Sequence, residues 1–579
     1  MTGSYLLETA DIEWQHGVPR SRFFDDIYWH RGGAIAEKQH VFIEPLMQLA
    51  ASASLPVTAC ELGFGFGINC LLAAEAWLNS GSPAQLNLVS FEKHPVDPAI
   101  LRQHLSQYDF QCTDRLLDRY PPPVRGHHVI WLTDNIRLLL ILDDVESALP
   151  NLDALVDFWF LDGFAPARNE SMWQPRLFRQ MFSRSRPGAR IATYSAAGHV
   201  RRGLEQAGFV TEKLPGFSHK KEMLAASRPG DWHPRDRGHQ STAIVGTGLA
   251  GLYCAEAFAR RGLSCLLIDS GGPAASAIPQ LTVKPQLAAR PETRYRFSLS
   301  ATQYMRSSPG YRETGVAWQG RNSDEVSRLH RISELFPDDM IETGNSGEVI
   351  FHHAGWLSFN TLQHDLCADI TSDCVQKIGD NGNGWLLTGE KNSYQVERVI
   401  LAAGFNRSLL PPELQIRAIH GQALTVPTRG VDQVFNGQVT IFPTVDGQSV
   451  VSGTYARRDS LDVDPADTRT LINGAKRIID FNETGIETYT GIRAVSRDRL
   501  PVVGEMPDWP MLGDANRLSA VTAFRQGLFL CTAFGSRGAS HARLCAEHLV
   551  SKILGEPAAL GLKEQRMLAA GRFYLRDRR

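Results

Sequence analysis

Carboxylates and glycines recur at the ends of apolar runs in this chain, at spacings that suit nucleotide binding. Glu61-Leu62-Gly63-Phe64-Gly65-Phe66-Gly67 follows the apolar run 57–60, and Ile68 opens a helical stretch. Gly63, Gly65 and Gly67 would let the backbone pass close beneath a ligand without side-chain collision. Glu92 ends the next apolar run, Asp134 closes Leu132-Thr133-Asp134, and Asp162 closes the run 157–161. Ligands of an open parallel sheet sit at the carboxyl ends of its strands. Together these residues suit a methyl donor, S-adenosylmethionine. Glu61 fits its cationic amino-acid end, Glu92 its ribose hydroxyls and Asp134 its adenine amine. Asp162, beside Gly163-Phe164-Ala165-Pro166, could accept a proton from an amine nucleophile or orient it. The plainer alternative is a nucleotide-type fold with ordinary strand-end carboxylates.

A second loop has a different spacing. Gly246-Thr247-Gly248-Leu249-Ala250-Gly251 matches GxGxxG, and Asp269 lies 23 residues after Gly246. Such glycines make a tight turn at a helix start that receives a pyrophosphate, and the acid receives a ribose. The motif alone fits NAD or FAD. Two later segments favour FAD: the run 396–403 into Gly404, and the run 527–532 leading to Gly535-Ser536-Arg537-Gly538 and a helix. The positive end of that helix can stabilise an anionic reduced flavin. Taken singly, each segment reads equally well as a buried strand and turn. Arg493 and Arg497 are candidates to bind a substrate carboxylate through their planar forks. Surface or ion-paired roles fit either arginine equally well.

The elements around these residues fall into two groups. Strands and helices alternate through residues 57–195, which implies a mostly parallel sheet with helices on both faces. Expected strands lie at 57–62, 86–91, 128–132, 157–161 and 189–195. An antiparallel edge follows at 209–226. The segment 229–241, rich in Pro, Gly, Arg and Asp, reads as a linker. From 242 a strand–loop–helix–strand unit begins, followed by short strands such as 439–445 and 449–455 and a helix near 468–480. The expected division is therefore a methyl-donor domain over 1–228 and a flavin domain over 242–579. At 579 residues, two domains are the natural outcome. The 43% hydrophobic and 21% charged fractions are those of a soluble globular protein, and no run reaches the about 20 apolar residues of a membrane span. Nine scattered cysteines without a CxxC pair argue for reduced thiols in a cytoplasm and against a structural metal. The net charge of −2 excludes a global polyanion binder but leaves room for local basic faces at Arg201-Arg202, 219–221, Arg260-Arg261 and 572–579.

Longer motifs carry a resemblance. SRFFDDIYW (21–29), ELGFGFGIN (61–69), FWFLDGFAPARN (158–169), GFSHKKEML (216–224), AGWL (354–357), IRAVSRDRLPVVG (492–504) and FGSRG (534–538) occur in an order that resembles the bacterial bifunctional tRNA 5-methylaminomethyl-2-thiouridine biosynthesis proteins. The similarity spans nearly the whole chain. It implies a class I, Rossmann-like methyltransferase domain fused to an FAD-binding Rossmann domain with an inserted antiparallel substrate subdomain. It also implies two reactions on the wobble uridine in a tRNA anticodon loop. The flavin half would remove the carboxymethyl group of a carboxymethylaminomethyl uridine, and the first half would methylate the exposed amine, with Asp162 as its carboxylate. The chain departs from the family at Phe66, at Glu170 and across 274–286, where a Gly-Asn-x-Gln-Gly-type segment is usual. Two other expectations stand beside this one: a glycine- or sarcosine-type amine oxidase fused to an amine methyltransferase, or a methyltransferase with an inactive flavin half. The residues leave the oligomeric state open, a monomer included.

Overall fold

The computed structural model describes residues 4–29, 34–51, 55–217, 221–233, 240–272, 274–366, 369–512 and 523–576. The basic positions 219, 220, 578 and 579 and residues 234–239 of the interdomain segment therefore lie outside the described residues. Two compact units are present. The first comprises Ser4–Gly238 together with Ser551–Leu562. The second is built from His239–Val550 and Lys563–Arg579.

The first unit is organised by an eight-stranded sheet. Its order is Val210–Pro215, Glu222–Ser227, Ser185–Thr193, Val156–Phe160, Val57–Glu61, Leu86–Glu92, Ile136–Leu142 and Gly126–Trp131. The five central strands are parallel. Their residues are nearly all buried, as a sheet covered on both faces requires. Both edges are antiparallel. One of them corrects the sequence reading. The apolar stretch near 128–132 is an antiparallel edge strand, Gly126–Trp131, which turns back into Ile136–Leu142. Ile136 pairs with Leu86, the first residue of its neighbour. Asp134 in that turn is thus at the amino end of the parallel strands, opposite the end carrying Glu61 and Glu92. Ser551–Leu562 completes this unit. Arg137 Nη1 donates to the Pro557 carbonyl (2.8 Å), Ala558 N–H donates to the Asp153 carbonyl (2.9 Å), and Lys552 Nζ pairs with Asp153 (2.5 Å).

The second unit holds a six-stranded sheet: Ile370–Ser372, Leu266–Asp269, Thr242–Val245, Arg398–Leu401, Phe524–Thr532 and Val502–Pro507, parallel except for the last pair. Beside it lies an eight-stranded sheet running from Ile341–Thr343 through Val349–Phe351, Val316–Trp318, Val434–Asn436, Thr440–Ile441, Gln448–Ser452 and Arg417–Pro427 to Glu487–Val495. One parallel pair, Val316–Trp318 with Val434–Asn436, interrupts its antiparallel pattern. The expected strand 439–445 is only Thr440–Ile441, and the expected helix 468–480 is Pro465–Ala475. Buried Arg543 makes two bonds to Glu256 (3.0 and 2.7 Å), tying the helix Gly538–Leu554 to Leu249–Ala259. Their starts are thereby held over the sheet, where a cofactor would lie.

Candidate active sites

The first site lies at the carboxyl ends of Val57–Glu61, Leu86–Glu92, Ile136–Leu142 and Val156–Phe160, around a cavity of about 330 Å³. Gly67 ends the glycine loop with φ +73°, and a Cβ there would stand 2.6 Å from the Phe64 ring, so glycine is required. The helix Ile68–Asn79 starts at this turn and brings Asn69 between two carboxylates. Asn69 Nδ2 donates to Glu61 Oε1 (2.6 Å) and to Asp162 Oδ2 (2.7 Å). With the amide flipped, an oxygen would face two carboxylates, so this orientation is fixed by chemistry. Lys38 Nζ completes the cluster, 2.5 Å from Asp162 Oδ2, with side-chain exposures of only 15% and 19%.

Burial, then the charge of Asp162, pushes the Glu61 carboxyl up to about 7, against the opposing pull of Lys38. Burial also lowers the Lys38 pKa, but Asp162 and Glu61 outweigh it and hold the ammonium above its ordinary range. Glu92 is raised by burial, while Gly65 N–H (2.7 Å) and His94 N–H (2.8 Å) donate to its two oxygens. The remaining acceptor capacity of the carboxylate can receive a ribose hydroxyl. Phe24 stacks on Phe164 at 4.8 Å, and Tyr28 meets the edges of Phe164 and Phe66, giving the cavity an aromatic wall. Phe66 is thus a wall residue in its own right.

Glu61, Gly63, Gly65, Glu92 and Asp162 all line this cavity, and Gly67 shapes its loop. Asp134 does not, for the topological reason above. The strand-end acids at that place are Asp143 and Asp144, which pair with Arg125 and Lys93. The residues suit S-adenosylmethionine: a cationic amino acid meets Glu61, and the buried Asn69 Oδ1, which has no hydrogen-bond partner, can accept from its ammonium. When bound, the donor supplies an electrophilic methyl group.

The second site surrounds a cavity of about 940 Å³, at the upper end of ligand-pocket sizes and roomy enough for a dinucleotide. Gly246 has φ +99°, and a Cβ on it would lie 2.6 Å from the Ala402 carbonyl. A Cβ on Gly251 would sit 1.8 Å from the Gly246 carbonyl, so the helix can approach the strand only as glycine. Gly248 lies at the helix start, where unpaired N–H groups face the cavity. Asp269 Oδ2 accepts from Thr247 N–H (2.6 Å) and hydroxyl (3.0 Å), and Oδ1 from Gly271 N–H (2.8 Å). Gly404, Gly535, Arg537 and Gly538 line the same cavity. Gly404 accepts from the Thr532 hydroxyl, and Arg537 donates to the Arg499 carbonyl. These features fit FAD, which would supply an oxidising isoalloxazine ring.

Arg493 lines the cavity, 3.2 Å from the Thr454 carbonyl, and burial lowers its pKa. Its guanidinium fills the space over Gly421, where a Cβ would meet it at 2.1 Å. Arg497 is exposed, lies outside the cavity lining and reaches toward Gln415. The chain turns at Arg499 with φ +60°, and Arg499 takes the lining position instead. Sequence reasoning missed Lys38, Asn69 and Arg499. Only Arg499, within the quoted IRAVSRDRLPVVG, and Asn69, at a helix start, had any signal. The segment 274–286 forms much of the cavity wall: Gln280–Val283 pairs with Gly355–Ser358, and Gln280 bonds to Pro443 and Val450.

Comparison with known proteins agrees with both halves. Residues 108–229 match the S-adenosyl-L-methionine-dependent methyltransferase family, and residues 241–552 match the FAD dependent oxidoreductase family. The cofactors are accordingly S-adenosyl-L-methionine and FAD. The tRNA 5-methylaminomethyl-2-thiouridine biosynthesis bifunctional protein of Maricaulis maris is 30% identical over 99% of this chain and 97% of its own. Its counterpart from Cupriavidus necator is 31% identical over 96% of each. Among solved structures, glycine oxidase from Geobacillus kaustophilus covers 57% of this chain and 98% of its own, at 16% identity and TM-score 0.45. With a methyltransferase and an FAD oxidoreductase in the same order and the relatives aligned from end to end, the chain belongs to the family of bifunctional tRNA 5-methylaminomethyl-2-thiouridine biosynthesis proteins.

Proposed function

We propose that this protein performs two consecutive reactions on the wobble uridine of tRNA. The second unit oxidises a carboxymethylamino group to leave an aminomethyl group, and the first unit methylates that amine. The observation that carries this reading is the end-to-end match to the bifunctional family, 30% identical over 99% of the chain. In the first site, Asp162 holds the substrate amine and takes its proton. Asn69 fixes Asp162 relative to Glu61, and Glu61 holds the cationic end of the donor. Rate there comes mainly from alignment of amine, methyl and leaving sulfur. In the second site, the glycine loop and helix starts hold the dinucleotide. The reaction belongs to the cytoplasm, where the unpaired cysteines among the described residues remain thiols.

The test uses tRNA carrying the carboxymethylaminomethyl wobble base, incubated with the purified holoenzyme with and without S-adenosylmethionine. Nucleoside mass spectrometry should find loss of the carboxymethyl group without the donor and gain of one methyl with it. An unchanged base, with methylation only of pre-made aminomethyl tRNA, would remove the flavin half from this reading.

A further inference from the structure

The flavin cavity contains a lysine amine that, among the described residues, has no carboxylate in contact with it. Lys284 follows the Gln280–Val283 strand and lines the cavity. Its backbone is fixed to the start of the helix Gly538–Leu554: Lys284 N–H donates to Ser540 Oγ, and its carbonyl accepts from the same hydroxyl, both at 3.1 Å. Its ammonium faces the opposite wall, 3.0 Å from the ring centroid of Trp318 on the eight-stranded sheet. The side chain thus bridges the dinucleotide-binding side and the substrate sheet.

The charged groups facing Lys284 are Arg537, Arg328, Arg321 and Glu325. Glu325 is already engaged by Arg321 (3.0 Å) and Arg328 (3.2 Å). Among the described residues, no carboxylate touches the Lys284 ammonium. Loss of water, then Arg537 and Arg328, hold its pKa well below the usual lysine range. A cation–π contact compensates only part of that loss. Arg493 stands elsewhere: four strands separate Glu487–Val495 from Val316–Trp318 in the sheet order.

We propose that Lys284 is the residue that receives the substrate's carboxylate, taking up one proton from solvent as it does so. The neutral amine, a solvent proton and the carboxylate give an ammonium–carboxylate pair, with no other bond made or broken. The idea rests on the reading of this unit as an oxidase of a carboxymethylamino group. It gives that reading a discriminating element, because a substrate without the carboxylate would leave Lys284 neutral and unpaired.

The test titrates the FAD-loaded protein with acetate, fully ionised throughout, and follows the flavin absorbance at pH 6.5, 7.5 and 8.5. In the wild type, the acetate dissociation constant should rise severalfold between pH 6.5 and 8.5. Lys284→Arg should bind acetate with little pH dependence, because an arginine stays charged. Lys284→Met should bind at least tenfold more weakly at pH 6.5. Retention of wild-type affinity and slope in Lys284→Met overturns the proposal. So does a loss of acetate binding confined to Arg493→Met. A purified wild-type protein that holds no FAD refutes the oxidase reading itself, and the inference with it.

Discussion

Binding of S-adenosylmethionine should depend on pH through Glu61. In the donor-free site, burial and the neighbouring Asp162 place this carboxyl at about 7. A cationic ligand favours the charged form, so the bound site holds Glu61 ionised. Below pH 7 the free protein must therefore give up a proton to bind, and affinity should strengthen as pH rises. With a free-state value of about 7 and an ordinary bound-state value near 4.3, raising the pH from 5.5 to 7.5 should tighten binding about 25-fold, or ~2 kcal/mol. Isothermal titration calorimetry in two buffers of different ionisation enthalpy measures both the affinity and the released proton. Glu61→Gln should bind weakly and with a flat pH profile. A wild-type affinity constant within twofold from pH 5.5 to 7.5, with no proton released, would refute the account of Glu61 as a buried carboxyl awaiting a cation.

Three further outcomes follow from the geometry. Lys38→Met removes the cation that pairs with Asp162 beside Glu61, leaving two buried carboxylates on one amide; methylation kcat/KM should fall at least tenfold near neutrality and recover toward alkaline pH, and an unchanged pH–rate profile would exclude this role. Gly251→Ala forces a Cβ to within 1.8 Å of the Gly246 carbonyl, so the purified variant should lose most of its FAD, read as the ratio of 450 nm to 280 nm absorbance. His128 and His541 are buried neutral, pushed down to about 4 and about 3. Because the unfolded chain binds their protons near pH 6.5, stability should be full above that pH. It should fall as pH drops toward 4, by up to ~1.4 kcal/mol per unit for each histidine. Urea titrations at pH 7 and 5 measure this, with His541→Asn expected to blunt the loss in the second unit.

The parallel strands and both glycine loops were legible because apolar runs ending in Gly, Glu or Asp report on local geometry. Asp134 was misplaced because two apolar runs joined by a tight turn look like one strand and its successor. Only the pairing of Ile136 with Leu86 reveals which of them is parallel to the centre. Arg497 and Arg499 lie two residues apart in one motif, and the left-handed turn at Arg499 decides which faces the cavity. Lys38 is 124 residues from Asp162, so nothing local marks it. Lys284 lies in the segment that departs from the family pattern, where motif comparison has least to say.

The first unit has a consequence for synthesis and for gene dissection. Its last piece, Ser551–Leu562, is translated only after the chain of the other unit has nearly all been made. On the ribosome, Arg137 and Asp153 wait for Pro557, Ala558 and Lys552 while some 400 residues emerge, a delay of tens of seconds at ~5–20 residues per second. The amino-terminal half is thus first exposed in an incomplete form. A gene cut at the interdomain segment would encode a methyltransferase permanently short of its final turn, and any division of the chain into two independent polypeptides would require a replacement for those twelve residues.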